Sequence, residues 1–121
     1  MINPNFFILY GNNPLSSVTF YRLIFDAAPI EAAPTFAMFA LPSGVMFGLW
    51  SKHTVNPIGD EIGVRSEIAF ALESNDSVDQ TYTLWLGKGV VMLQEPVKAE
   101  FGYNFVGLDI DGHRLRVFCP S

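Results

Sequence analysis

Apolar and polar residues fall into short blocks along the 121-residue chain, and one order of blocks occurs twice. Phe6 to Tyr10 is an apolar run of strand length. Asn13 followed by Pro14 marks a helix start: asparagine can cap, and proline suits the first helical position. The helix is predicted over Ser16 to Phe25, with Phe20, Leu23 and Ile24 on its apolar side. Pro29 helps to end it. Strands are predicted next over Ile30 to Ala33, Thr35 to Leu41 and Val45 to Ser51, the last two separated by the turn group Pro42-Ser43-Gly44.

Residues 52–63 carry Asn56, Pro57, Gly59, Asp60 and Gly63 and read as a linker or surface loop. The order then repeats. Ser66 to Leu72 reads as a strand. Asn75 can cap a helix running to about Leu86, where Val78, Tyr82 and Trp85 share one face and Gly87 or Gly89 can stop it. Val90 to Pro96, Tyr103 to Leu108 and Arg114 to Phe118 complete the strands, with Asp109-Ile110-Asp111-Gly112 as the final turn.

This order predicts an α+β fold: two βαβββ modules forming a curled mixed sheet around a cleft, with the helices on the outer face. The length fits a single domain over 1–121, with module one at 1–52, a linker at 53–64 and module two at 65–121.

Composition narrows the partners. The formal charge of −5 argues against nonspecific nucleic-acid binding and against an acidic membrane surface. No apolar run is long enough to span a bilayer, and the stretch Met1-Ile2-Asn3-Pro4-Asn5 does not resemble a secretory leader. The single cysteine, Cys119, excludes an intrachain disulfide and agrees with a cytoplasmic location, where it reads as a small hydrophobe. Eleven Phe, four Tyr and two Trp exceed ordinary core demand enough to suggest an aromatic pocket or a dimer face.

Three segments carry a resemblance. Ser17-Val18-Thr19-Phe20-Tyr21 resembles the first-helix signature of the vicinal oxygen chelate superfamily, which includes glyoxalase I, extradiol dioxygenases, fosfomycin-resistance enzymes and bleomycin-binding proteins. Ser66-Glu67-Ile68-Ala69-Phe70 resembles its fifth strand, and Phe105 through Phe118 its closing hairpin, with Ile110 where many members have proline. The resemblance covers nearly the whole chain. It implies that the family's metal-ligand positions fall on Phe6, Gly48, Glu67 and Arg116. Of these only Glu67 suits a cation, and His53 and His113, beside predicted turns, do not restore the set. No metal, cofactor or catalytic residue is therefore expected, and the chain is closest in character to metal-free drug-binding members. The resemblance further implies a homodimer.

Strand alternation tests this register. If those four residues face the cleft, so do Ile8, Tyr10, Met46, Trp50, Arg114 and Phe118, while the opposite faces are almost uniformly apolar. Trp50 is the first candidate ligand contact, or else packs at a dimer seam. Phe36 and Met38 offer a second wall or plain core, and Gly48 leaves room on the floor. Phe101 and Phe105, bracketing Gly102, either close over a ligand or anchor the core. Glu67 and Arg116 can neutralise each other in a partly dry site, with Arg114 assisting. Tyr21 is expected against the sheet edge with its hydroxyl at the surface, and the Asp109 turn is expected to be structural.

The function expected is metal-free binding or sequestration of a small planar aromatic or antibiotic-like molecule in an aromatic-lined cleft. The net charge mildly favours cationic ligands. The alternatives are a lyase, isomerase or dioxygenase of the same superfamily, or a non-catalytic structural or regulatory dimer. Enzymatic chemistry is disfavoured because the metal-ligand positions are mostly lost, and because Glu67 paired with arginine is a poor general base.

Overall fold

The computed structural model describes residues 5–55 and 66–121, and the chain divides into two compact units, Met1–Gly63 and Val64–Ser121. The predicted linker at 53–64 lies mostly outside the described residues.

The first unit runs β1 (Phe6–Gly11), α1 (Pro14–Phe25), β2 (Glu31–Ala32), β3 (Phe36–Ala40) and β4 (Met46–Ser51). Its sheet has the order β1-β4-β3-β2. β1 pairs with β4 in parallel, and the other pairs are antiparallel. A parallel pair needs a long crossover, which the helix between them supplies. Asn13 caps α1, its side chain accepting from the Leu15 amide at 3.1 Å. Asp26 ends the helix in the left-handed region at φ 52°.

α1 buries Ser17, Val18 and Tyr21 rather than the predicted Phe20–Leu23–Ile24 side, and Leu23 is exposed. Tyr21 packs against the sheet, as expected, but its hydroxyl does not reach the surface. It is fully buried, with ring centres 4.8 Å from Phe47, 5.1 Å from Phe20 and 5.4 Å from Phe25. The spacing of Ser17, Val18, Tyr21 and Phe25 explains this: three- and four-residue steps stack them on one helix face. Phe25 closes the cluster edge-on against Phe39 and Phe47.

The second unit repeats the order: β5 (Glu67–Ala71), α2 (Asn75–Gly87), β6 (Val91–Ala99), β7 (Gly102–Leu108) and β8 (Arg114–Pro120), with sheet order β5-β8-β7-β6. The helix cap is Ser74, one residue before the predicted Asn75; its hydroxyl accepts from the Ser77 amide at 3.0 Å. Gly89, at φ 86°, turns the chain out of the helix. Val78 and Trp85 are buried under α2, as their spacing predicts. Trp85 meets Phe70 and Phe105 edge-on. The edge strand β6 shifts register between Met92 and Gln94 and again between Gln94 and Val97, and Pro96 removes a donor there.

The βαβββ order thus occurs in each unit, but the single curled sheet around a cleft does not form. The described strands make two separate, open four-stranded sheets. The reason lies in the pairing. Within each unit the last strand slots beside the first in parallel, so every inner strand has both neighbours from its own unit. Among the described residues, no helix is long and apolar enough to cross a membrane.

Candidate functional site

Each helix covers one face of its sheet, and alternation puts a distinct residue set on the other. In the first unit the register aligns Tyr10, Trp50 and Phe36 in one row and Ile8, Gly48 and Met38 in the next, with Phe6 beside Met46 beyond them. The intervening rows, Phe7–Phe47–Phe39 and Leu9–Leu49–Ala37, face α1.

The face opposite α1, which no other described element of the first unit covers, is aromatic. Phe36 and Trp50 meet at 6.0 Å with their ring planes 88° apart, a right-angled corner. Both are half-buried, whereas Phe6 and Tyr10 are exposed. The missing side chain at Gly48 is used. A Cβ there would stand 3.0 Å from Cε1 of Phe6, 3.1 Å from Cζ of Phe36 and 3.3 Å from Cγ1 of Ile8. These side chains lie low over the glycine and form a floor.

The face opposite α2 in the second unit is polar at its centre. Arg116 donates from Nε to Oε2 of Glu67 at 3.0 Å and from Nη2 to Oε1 at 3.2 Å. Its Nη1 donates to Oδ1 of Asn104 at 2.7 Å. Asn104 is almost wholly buried and is itself fixed: Gln94 donates to its Oδ1 at 3.2 Å, and its amide donates to the Val97 carbonyl at 3.2 Å. Phe101 covers the guanidinium at 5.5 Å and meets Phe118 at 6.2 Å with planes 73° apart. Arg114 is exposed and aligned with Glu67 across the strand pair.

The sequence reading missed Asn104 and Gln94. Alternation along β7 places Asn104 opposite Phe118, so the signal was present in the pattern once the β7–β8 register is known. Phe105, by contrast, does not join this face. It is fully buried on the α2 side, with ring centres 5.2 Å from Tyr82 and 5.5 Å from Trp85. Phe101 and Phe105 are four positions apart, an even step, but Gly102 between them, at φ 145°, breaks the alternation.

The Asp109 turn is structural, as expected. Its Oδ1 accepts from the amides of Asp111 at 2.9 Å and His113 at 2.8 Å. His113 is buried, and its Nδ1 accepts from the Ser66 amide at 3.2 Å, tying the turn to the start of β5.

No family model matches the chain. It is 33% identical over 122 residues to the phenazine antibiotic resistance protein EhpR of Enterobacter agglomerans, covering 98% of this chain and 92% of that one. It also superposes on a glyoxalase/bleomycin resistance protein/dioxygenase from Nocardioides, with TM-score 0.85 at 20% identity, over 99% of this chain and 84% of that one. The chain belongs to the family of this phenazine antibiotic resistance protein, and its fold is that of the glyoxalase/bleomycin-resistance proteins. The solution structure of protein ATC0852 from Agrobacterium tumefaciens agrees closely, with TM-score 0.89 and 45% identity over 100% and 99% of the two chains.

The residues at the positions that the resemblance assigns to a metal do not suit one. Phe6 and Gly48 offer no donor, and the Phe6 ring lies over the glycine. Glu67 has both oxygens engaged by Arg116. Among the described residues, no group of three or more His, Cys, Asp or Glu side chains is placed to hold a metal ion.

Proposed function

We propose that this protein binds a planar aromatic, antibiotic-like molecule of the phenazine type, without a metal, against the sheet faces opposite its helices. The observation that carries the reading is the Phe36–Trp50 corner. Two half-buried rings at right angles let a flat ligand stack on one ring while its edge meets the other, both favoured aromatic arrangements. Gly48 lets the Phe6 and Phe36 rings and Ile8 settle onto the strand beside that corner, so the space expected to be left open over the glycine is taken by these side chains. The Phe101–Phe118 pair offers a similar wall in the second unit. Similarity to a phenazine antibiotic resistance protein supports the ligand class. A homodimer in a single-domain arrangement is part of this reading, on the family resemblance.

Calorimetric titration with phenazine tests it. Saturable binding is expected, with Trp50→Ala weakening affinity about tenfold through lost stacking. No saturable heat with the unmodified protein, or undiminished binding by the variant, would reject the assignment. Native mass spectrometry of the same sample reads the dimer directly.

A further inference from the structure

We propose that His113 is an acid-sensitive latch: its neutral imidazole pins the start of β5 to the β7–β8 turn, and a proton on Nδ1 releases that end of the strand.

The geometry rests the contact on one ring nitrogen. Ser66 directly precedes β5, and its backbone is gripped from both sides. Its carbonyl accepts from the Arg114 amide at 2.9 Å, and its amide donates to Nδ1 of His113 at 3.2 Å. An amide N–H can only donate, so Nδ1 carries a lone pair there and the ring proton sits on Nε2. Protonation makes Nδ1 a donor facing another donor, and the bond is lost. His113 is 5% exposed, so water does not readily replace the missing partner. The other histidine, His53, is the contrast. It is exposed, and its Nε2 lies 2.7 Å from Oδ1 of Asn12. That partner accepts, so a charged ring keeps the contact.

β5 is the element that such a loss moves. It is a five-residue edge strand whose one neighbour in the sheet is β8. Short edge segments with exposed backbone open locally at lower free energy than the core. The far end of β5 has its own anchor, the Leu72 amide donating to the Phe118 carbonyl at 2.8 Å. Release therefore begins at Ser66. Glu67 follows it in the chain, so an open start also loosens the hold of Glu67 on Arg116.

The turn itself stays in place. Asp109 accepts from the amides of Asp111 and His113, and its own amide donates to the His113 carbonyl at 3.0 Å. None of these bonds uses the imidazole. The charged groups that adjoin the latch among the described residues are Asp109 and Asp111 in the turn, Glu67 on β5 and Arg114 on β8. The carboxylates favour a positive ring and the guanidinium opposes it. Their balance sets where the latch opens within the histidine range of about pH 5 to 8. It does not alter the conflict between two donors.

Nuclear magnetic resonance of the whole chain tests this. Imidazole nitrogen shifts at about pH 8 should show His113 as the Nε2–H tautomer. Hydrogen exchange at the Ser66 amide, corrected for the intrinsic pH dependence of exchange, should lose about tenfold in protection between about pH 8 and about pH 5, as for one hydrogen bond. The Leu72 amide should keep its protection. In His113→Asn the side-chain oxygen takes the place of Nδ1 and cannot titrate, so Ser66 should be held equally at both pH values. His53→Asn should leave the drop unchanged. The Nδ1–H tautomer at the higher pH, or Ser66 protection that is indifferent to pH, overturns the proposal. So does a drop that persists in His113→Asn, or one shared by Leu72 and by amides of the first unit, which is general acid unfolding. The tautomer and the Ser66–Leu72 comparison use the unmodified protein alone, so a variant that fails to fold leaves both as decisive readouts.

Discussion

Phe6 lies over Gly48 so closely that a methyl group added at the glycine would stand 3.0 Å from Cε1 of the ring. Phe36 and Ile8 crowd the same point at 3.1 and 3.3 Å. All three neighbours are side chains, so alanine at position 48 needs only a shift of a few tenths of an ångström. Its cost is partly offset by a less flexible unfolded chain, an effect of about 0.4–1 kcal/mol. Valine needs much more room and is expected to cost about 1–3 kcal/mol through overpacking. Urea unfolding of the Gly48→Ala and Gly48→Val variants measures both. Equal midpoints for the two would show that the rings are not held low over the glycine.

Much of this arrangement was legible in the sequence. Period-two alternation separated the apolar rows under the helices from the mixed rows opposite, because the buried face of a strand tolerates few polar residues. The resemblance put Phe6, Gly48, Glu67 and Arg116 on one side of their strands and alternation added Trp50; the strand registers set these residues on the sheet faces away from the helices, though the cleft expected between them does not form as a single curled sheet. What failed was anything set by geometry between elements. The burial of the Tyr21 hydroxyl depends on how α1 sits on Phe47, and the sequence shows only that Tyr21 is a large residue on a helix. The fate of Phe105 depends on the turn at Gly102, where a Cβ would stand 2.0 Å from the Cys119 carbonyl oxygen. That turn resets which residues of β7 face α2. The expected curled sheet failed because element order does not specify whether two modules share strands, and hydrogen-bond pairing does.

Phe105 and Phe118 provide a contrast between core and face. Phe105 is fully buried between Tyr82 and Trp85, whereas Phe118 is half-buried on the opposite side of the sheet. Phe105→Ala leaves a cavity that close-packed aromatic neighbours cannot fill, at a cost of about 3–5 kcal/mol. Phe118→Ala removes less buried area and is expected to cost less than about 2 kcal/mol. Guanidinium unfolding distinguishes the two, and a larger loss for Phe118 would contradict the assignment of faces.

Tyr103 sets an alkaline dependence. Its hydroxyl donates to Oδ1 of Asp79 at 2.6 Å. That hydrogen bond, with smaller contributions from burial and from the charge of Asp79, raises its pKa above the ordinary 10.0. The protonated form is therefore favoured by folding. The associated stability is fully present below the ordinary value and is lost as pH rises through the raised one. Tyr103→Phe has no such hydrogen bond to lose. The stability difference between the unmodified protein and this variant should stay level up to about pH 10 and then fall. Ultraviolet titration of tyrosinate should show that the group missing from Tyr103→Phe ionises above the ordinary tyrosine value. Ionisation at or below that value would mean that the Asp79 contact is not formed in solution.

Asn104 holds Arg116, and the coupling between them is measurable. Asn104 is 1% exposed, and its Oδ1 accepts from Arg116 at 2.7 Å and from Gln94 at 3.2 Å. Replacing it with alanine removes an acceptor and leaves the Gln94 amide and the Val97 carbonyl short of a partner, at about 1–3 kcal/mol for a buried polar group. Replacing Arg116 with methionine keeps much of the stem packing but leaves Glu67 without its partner; because both groups are partly solvated, this change is expected to cost less. If the guanidinium is positioned by Asn104, the two costs will not add. A double-mutant cycle should return a coupling of about 0.5–3 kcal/mol, the range for residues in one hydrogen-bonded network. The Glu67–Arg116 pair should behave differently, with a smaller coupling that falls as salt rises, because Glu67 is 39% exposed and its charge is screened. Additive costs for Asn104 and Arg116 would mean that the arginine is placed by Glu67 alone, and the buried asparagine would then be serving β6 through Gln94 and Val97.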